Sequence, residues 1–156
     1  MARFIDILRF TIISWELVFI LVAFSICTYY PEFFSIVGSK IQGNDEIWKY
    51  LPVLPLAFSG VTFKSSAKLR APLENTTNKP LYDWGSYHKI VDRIIASYII
   101  SILCCCAVFT IWIFSKELSP VICGMLFITS VVISGVTALQ IFIASHKVRE
   151  VIEQYM

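Results

Sequence analysis

Two apolar runs, 94–114 and 121–144, contain no charged side chain and are separated by six residues. A helix rises about 1.5 Å per residue, so roughly 20 residues cross the ~30 Å hydrocarbon core of a bilayer. The runs have 21 and 24 residues, and too little of a 156-residue chain remains to wrap such a pair in a soluble core. A third apolar stretch, 11–30, is interrupted by Glu16 alone and ends in Tyr29 and Tyr30 before Pro31. Aromatic rings at that position mark the headgroup level. Ahead of it Arg3, Asp6 and Arg9 recur every three residues, with Phe4, Ile5 and Leu8 on the other side, which predicts amphipathic N-terminal turns. The segment 47–63 is ambiguous. Its 17 residues are at the lower limit for a span, Lys49 lies near one end, and Pro52, Pro55 and Gly60 bend or break it. A kinked second crossing is expected, with a re-entrant or interfacial piece as the alternative.

The pattern therefore predicts an all-α integral membrane protein: a small helical bundle of four transmembrane helices with amphipathic N-terminal turns, forming one membrane domain over 1–156. Residues 31–46 read as a mixed connector containing Gly38 and Gly43, after which Asn44, Asp45 and Glu46 offer helix-start chemistry. Ser119 and Pro120 read as the cap and first turn of the last crossing. The only stretch with water-soluble character is 64–93.

Composition agrees with this reading: 57% of residues are hydrophobic and 15% charged, where soluble domains carry about a quarter charged. The net charge of +2 is small, but its placement orients the chain. With four crossings and both termini inside, ten of the thirteen basic residues face the cytoplasm, leaving Lys40, Lys49 and Lys116 outside. A three-crossing arrangement gives the same tally, so the count leaves 47–63 open. Both arrangements place the basic segment 64–93 and the C-terminus in the cytoplasm, and a bacterial inner membrane is the expected location. The N-terminus fails as a signal peptide, because Asp6 and Glu16 interrupt it and no small-x-small site follows. The five cysteines all fall in apolar runs without metal-ligand spacing and read as small packing residues.

Candidate chemistry is confined to a few polar residues. Glu16 is the one carboxylate well inside a span, and its ionised form is costly in lipid unless a lumen or a donor accommodates it. On the last crossing Cys123, Ser130, Ser134, Thr137 and Ala144 fall on one face, with Gln140 at its edge. Ser97, Ser101, Cys104, Val108 and Ser115 make a similar stripe on the preceding one. Close helix packing explains such faces. Lining of a pore by Glu16, Ser130, Ser134, Thr137 and Gln140 is the functional expectation. In the basic segment Tyr82, Trp84, Tyr87 and His88 are interleaved with Lys79, Lys89 and Arg93. Lys79, Trp84, His88, Lys89 and Arg93 are thus candidates for an anionic nucleotide or short single-stranded nucleic acid, by phosphate contacts and base stacking. Interfacial anchoring and attraction to anionic lipid are the simpler account of the same residues. Arg3, Asp6 and Arg9 are candidate gating residues. His88 and Asp92 have ordinary helical spacing, and no nucleophile elbow, metal-ligand pair or phosphate-cradling loop accompanies them, so neither an enzyme nor a cofactor is expected.

The paired spans 94–114 and 121–144 with a short charged cytoplasmic tail resemble, in architecture only, the small transmembrane effectors of bacterial nucleotide-signalled antiphage defence systems. That resemblance covers the last third of the chain and rests on no motif. It implies membrane depolarisation triggered by a nucleotide or oligonucleotide. The leading expectation is a homo-oligomeric, cation-conducting channel gated from the cytoplasmic side. The alternative is a non-conducting adaptor or immunity-type protein that binds a partner within the bilayer.

Overall fold

The computed structural model describes residues 15–72, 79–83, 85 and 87–154, and nearly all of them are helical. The helices are α1 (Trp15–Tyr29), α2 (Pro31–Gly43), α3 (Asp45–Tyr50), α4 (Val53–Arg70), α5 (Lys79–Tyr82), α6 (Tyr87–Phe114) and α7 (Pro120–Gln154). The helices α6 and α7 are each long and apolar enough to cross a membrane, and α1 with α2 makes a third candidate if that bent pair is counted as one span. The protein is membrane-embedded.

Proline shapes the first half of the chain. Tyr30 sits at φ −135°, ψ 60°, outside the helical region that a following proline disfavours. Pro31 then occupies the first turn of α2, where its missing N–H is not needed. The result is a 97° bend between α1 and a helical α2, where the sequence predicts a mixed connector. After α2 the extended Asn44 accepts hydrogen bonds on its side-chain oxygen from the N–H groups of Glu46 and Ile47, at 2.9 and 3.4 Å, and starts α3. The segment 47–63 is not one helix. Pro52 has no N–H to give to the Trp48 carbonyl, which accepts from Leu51 at 3.4 Å instead, and Pro55 has none for Leu51. With two rungs missing the chain breaks, and α4 begins at Val53 and runs on to Arg70.

The other helices gather around α7, which packs against α1, α2, α4 and α6. Helices α6 and α7 form an antiparallel hairpin. The Phe63 and Tyr98 rings meet at 4.6 Å and Ser59 meets Cys105, so α4 also runs antiparallel to α6. At the hairpin end α2 crosses the start of α7 with almost no space between backbones. A Cβ on Gly38 would lie 1.8 Å from the Pro120 carbonyl oxygen, and one on Gly124 would lie 2.1 Å from that of Phe34. Only glycine permits this approach. Gln42 closes the same end by donating its amide to the carbonyls of Ser115 and Leu118, at 2.6 and 2.8 Å, satisfying acceptors left over where α6 stops. Trp48 stacks on Trp112 at 5.2 Å and donates its indole N–H to the Trp112 carbonyl.

The core changes character along its length. Near the hairpin it is apolar, built from Ile41, Leu51, Val108, Ile111 and Cys123. Further along, Phe19 of α1 packs against Ile100, Cys104 and Ile133. Beyond that level hydroxyls and the carboxylates of Glu16 and Asp92 are buried among apolar side chains such as Leu69, Ile94 and Ile141.

Candidate functional site: a charged layer joining three helices

The first turn of α1 carries Glu16, only 2% exposed. Its Oε1 accepts from Nη2 of Arg93 on α6 at 2.6 Å and from the Thr137 hydroxyl on α7 at 3.2 Å. The same Arg93 nitrogen donates to Oε1 of Gln140 at 2.5 Å. Four side chains from three helices thus share one ion pair. Breaking the helices apart would strand a charge in a low-dielectric interior, and such a charge costs several kcal/mol when left alone.

The depth of this layer follows from helix geometry. Arg93 and Trp112 are 19 residues apart on α6, and Gln140 lies 20 residues beyond Pro120 on α7, so both helices cover about 28–30 Å between hairpin and layer. That is one hydrocarbon thickness. With the hairpin at one membrane boundary, the charges sit near the other, where they cost less than at the centre. The Arg93 side chain keeps 25% of its surface exposed and reaches inward along its apolar stem.

Behind the layer the three packed helices present hydroxyls to one another: Ser59, Thr62 and Ser66 on α4, Ser97 and Ser101 on α6, and Ser130, Ser134 and Thr137 on α7, all buried. Several return their proton to their own helix, as Ser59 does to Pro55, Thr62 to Phe58 and Ser97 to Arg93. A hydroxyl satisfied in this way behaves as a small residue and lets helices approach. Ser59 also meets the Cys105 sulfur at 3.3 Å. Others lack partners: Glu16 Oε2, Ser66 Oγ and Ser101 Oγ are buried without a hydrogen bond.

The five side chains singled out as pore-lining therefore come together inside one chain. Ser130, Ser134 and Thr137 face the bundle interior, Gln140 is half-buried against Arg93, and Glu16 is enclosed. In this arrangement a lumen between copies would not be lined by them. The proposed ligand set divides. His88 and Lys89 are exposed on the first turn of α6, whereas Arg93 is engaged by Glu16 and Gln140. Lys79 starts α5, but its side chain lies outside the described residues, as do Trp84 and the three gating candidates Arg3, Asp6 and Arg9.

Sequence reasoning missed the pairing of Glu16 with Arg93, which are 77 residues apart. A signal for it exists. Both lie near the same end of an apolar run, and helices that run in the same direction bring such positions to one level. Comparison of the chain with protein-family models, with curated proteins and with solved structures found no match.

Proposed function

We propose that the protein is a homo-oligomeric, cation-conducting membrane pore held closed in the arrangement described, and opened from the cytoplasmic side. The observation that carries this reading is the Glu16–Arg93 pair. Even near a membrane boundary a buried ionisable pair is costly to keep, and here it ties α1 to the α6–α7 hairpin. In the closed form the Glu16 charge is spent on Arg93 rather than offered to a cation. The apolar Val108, Ile111 and Cys123 exclude water from the hairpin half. Opening parts α1 from the hairpin and turns Glu16 toward an axis shared by several copies, since four short helices cannot enclose a pathway alone. The positive-inside tally favours a cytoplasmic Arg93 end and C-terminus, and the proposal takes α4 as the second crossing, with the N-terminus on the same side. There an anionic nucleotide or short single-stranded nucleic acid held by Lys79, Trp84, His88 and Lys89 competes with Glu16 for Arg93. Depolarisation of a bacterial inner membrane, as in antiphage defence, is the outcome this mechanism would have.

A second reading is favoured by one observation. Leu17, Leu21 and Phe24 stand exposed along α1, a surface that suits a partner helix in a non-conducting adaptor. Recording in planar bilayers separates the two. Arg93→Gln should raise the open probability by removing the latch, and Glu16→Gln should do the same while lowering cation preference. Silent membranes for the wild type and both variants, with insertion verified, would discard the pore and leave the adaptor.

A further inference from the structure

We infer that α2 lies flat in the leaflet at the hairpin end, an interfacial helix with Phe33 and Lys40 against lipid and Glu32 and Ser39 against water. The inference goes beyond the pore reading and holds with or without conduction. Glu16 of α1 meets Thr137 of α7, and Phe19, nearly one turn on, packs beside Ile133, one turn back, so α1 runs along α7. The 97° bend then turns α2 across the bundle instead of onward through the membrane. Its depth follows from the glycine crossing. The backbone of α2 touches α7 where Gly38 meets Pro120 and Phe34 meets Gly124, in the opening turns of α7 and hence at the boundary assigned to the hairpin.

Around its axis α2 has three sides. At about 100° per residue Phe34, Gly38 and Ile41 fall together, and all three are buried. Phe33, Val37 and Lys40 form one flank, and Glu32, Ser35, Ser39 and Gln42 the other. The first flank points down the bundle, because Val37 packs on the apolar core with Leu126 and Phe127, which lie deeper along α7. The second points out of it, because Gln42 donates to the Ser115 and Leu118 carbonyls of the turn. Phe33, Lys40, Glu32 and Ser39 are all exposed, so neither flank is covered by the protein itself. An apolar side toward the hydrocarbon and a polar side away from it is the division of a helix at a lipid-water boundary. Lipid is the occupant of the first flank because α1 carries its own exposed Leu21 and Phe24 up to this level. Tyrosines mark the same level. Tyr29, Tyr30 and Tyr50, at 78, 71 and 70%, are the most exposed large apolar side chains among the described residues, and all three stand at the bend or at the end of α3. Such rings gather among headgroups, and a lysine stem lying beside Phe33 carries its ammonium to the phosphates.

The test is nitroxide accessibility in full-length protein reconstituted into vesicles of phosphatidylcholine and phosphatidylglycerol. Cys27, Cys105 and Cys106 are replaced by alanine, while Cys104 and Cys123 are buried and stay. Labels are attached singly through Phe33→Cys and Lys40→Cys on one flank, Glu32→Cys and Ser39→Cys on the other, Leu21→Cys as the lipid reference and Glu117→Cys as the water reference. Power saturation compares collision with oxygen, which concentrates in lipid, and with a nickel chelate, which stays in water. The oxygen-to-nickel ratio at Phe33→Cys and Lys40→Cys should exceed that at Glu32→Cys and Ser39→Cys roughly threefold or more. Nickel-dominated values at all four would place α2 in water, and oxygen-dominated values at all four would make it the second half of a bent span; either overturns the inference. Exclusion of both reagents from the first flank would also overturn it, in favour of a second copy covering Phe33. If Phe33→Cys fails to fold, Lys40→Cys on the exposed surface decides for that flank.

Discussion

Replacing Arg93 by glutamine leaves Glu16 enclosed with the Thr137 hydroxyl as its remaining donor. Removing one partner of a buried ion pair costs about 3–5 kcal/mol when both charges are fully desolvated. Here the Arg93 side chain is 25% exposed and the layer lies near a membrane boundary, so water recovers part of the loss and about 2–3 kcal/mol is expected. Glu16→Gln keeps the shape and the Thr137 contact while the Arg93 cation retains Gln140 and solvent, so about 1 kcal/mol is expected. The double variant removes both charges together and should cost no more than Arg93→Gln alone. The coupling energy is then about 1–2 kcal/mol, a factor of roughly 5–30 in the unfolding equilibrium constant. Reversible unfolding in mixed micelles titrated with dodecyl sulfate and followed by circular dichroism measures all four corners of the cycle. If the two single effects simply add to within about 0.5 kcal/mol, the pair is not coupled and the latch does not exist.

Three further outcomes concern the hairpin end. Gly124→Ala places a methyl 2.1 Å from the Phe34 carbonyl and should push α2 off α7 at a cost of about 1–3 kcal/mol, so an unaltered melting temperature would refute the close crossing. Gln42→Ala leaves the Ser115 and Leu118 carbonyls without their donor, which should cost about 1–2 kcal/mol. Amide exchange in the 115–119 turn should speed up, and unchanged protection there would contradict the clamp. Trp48→Phe should cost about 1 kcal/mol and abolish the near-ultraviolet dichroism of the stacked indoles, a signal whose survival would place Trp48 away from Trp112.

How much of this was legible in the chain depends on the range of the interaction. The two long spans follow from uncharged runs, and α6 and α7 contain them, though α6 starts seven residues before 94 and α7 runs ten residues past 144. Local chemistry was equally readable: Asn44 caps α3, and Ser119 accepts from the Ile122 N–H at 3.4 Å where α7 begins at Pro120. Helix α2 was hidden because Gly38 and Gly43 look like breakers. Gly38 is there to let two backbones touch, a purpose that exists only once α7 is in place. The grouping of Ser130, Ser134, Thr137 and Gln140 on one face was visible from 100° periodicity. That the face looks into its own bundle was not, because periodicity says which residues lie together and not what lies opposite. Arg93 is the sharpest case. As a juxtamembrane cation it resembled Lys89 four residues earlier, and only the tertiary arrangement distinguishes an arginine that grips a carboxylate from a lysine left in water.

Because every other spanning element leans on α7, and α7 is the last of them to leave the ribosome, the fold cannot be completed in the order in which it is made. Until residues 120–154 enter the bilayer, α1 has only its contacts with α6 at Glu16 and Phe19, the glycine crossing at Gly38 has nothing to cross, and Arg93 lacks the amide of Gln140. The newborn chain therefore waits in lipid partly assembled, with α4 against α6, and closes when α7 arrives. A ribosome stalled before that last segment would leave behind a fragment fit only for proteolysis.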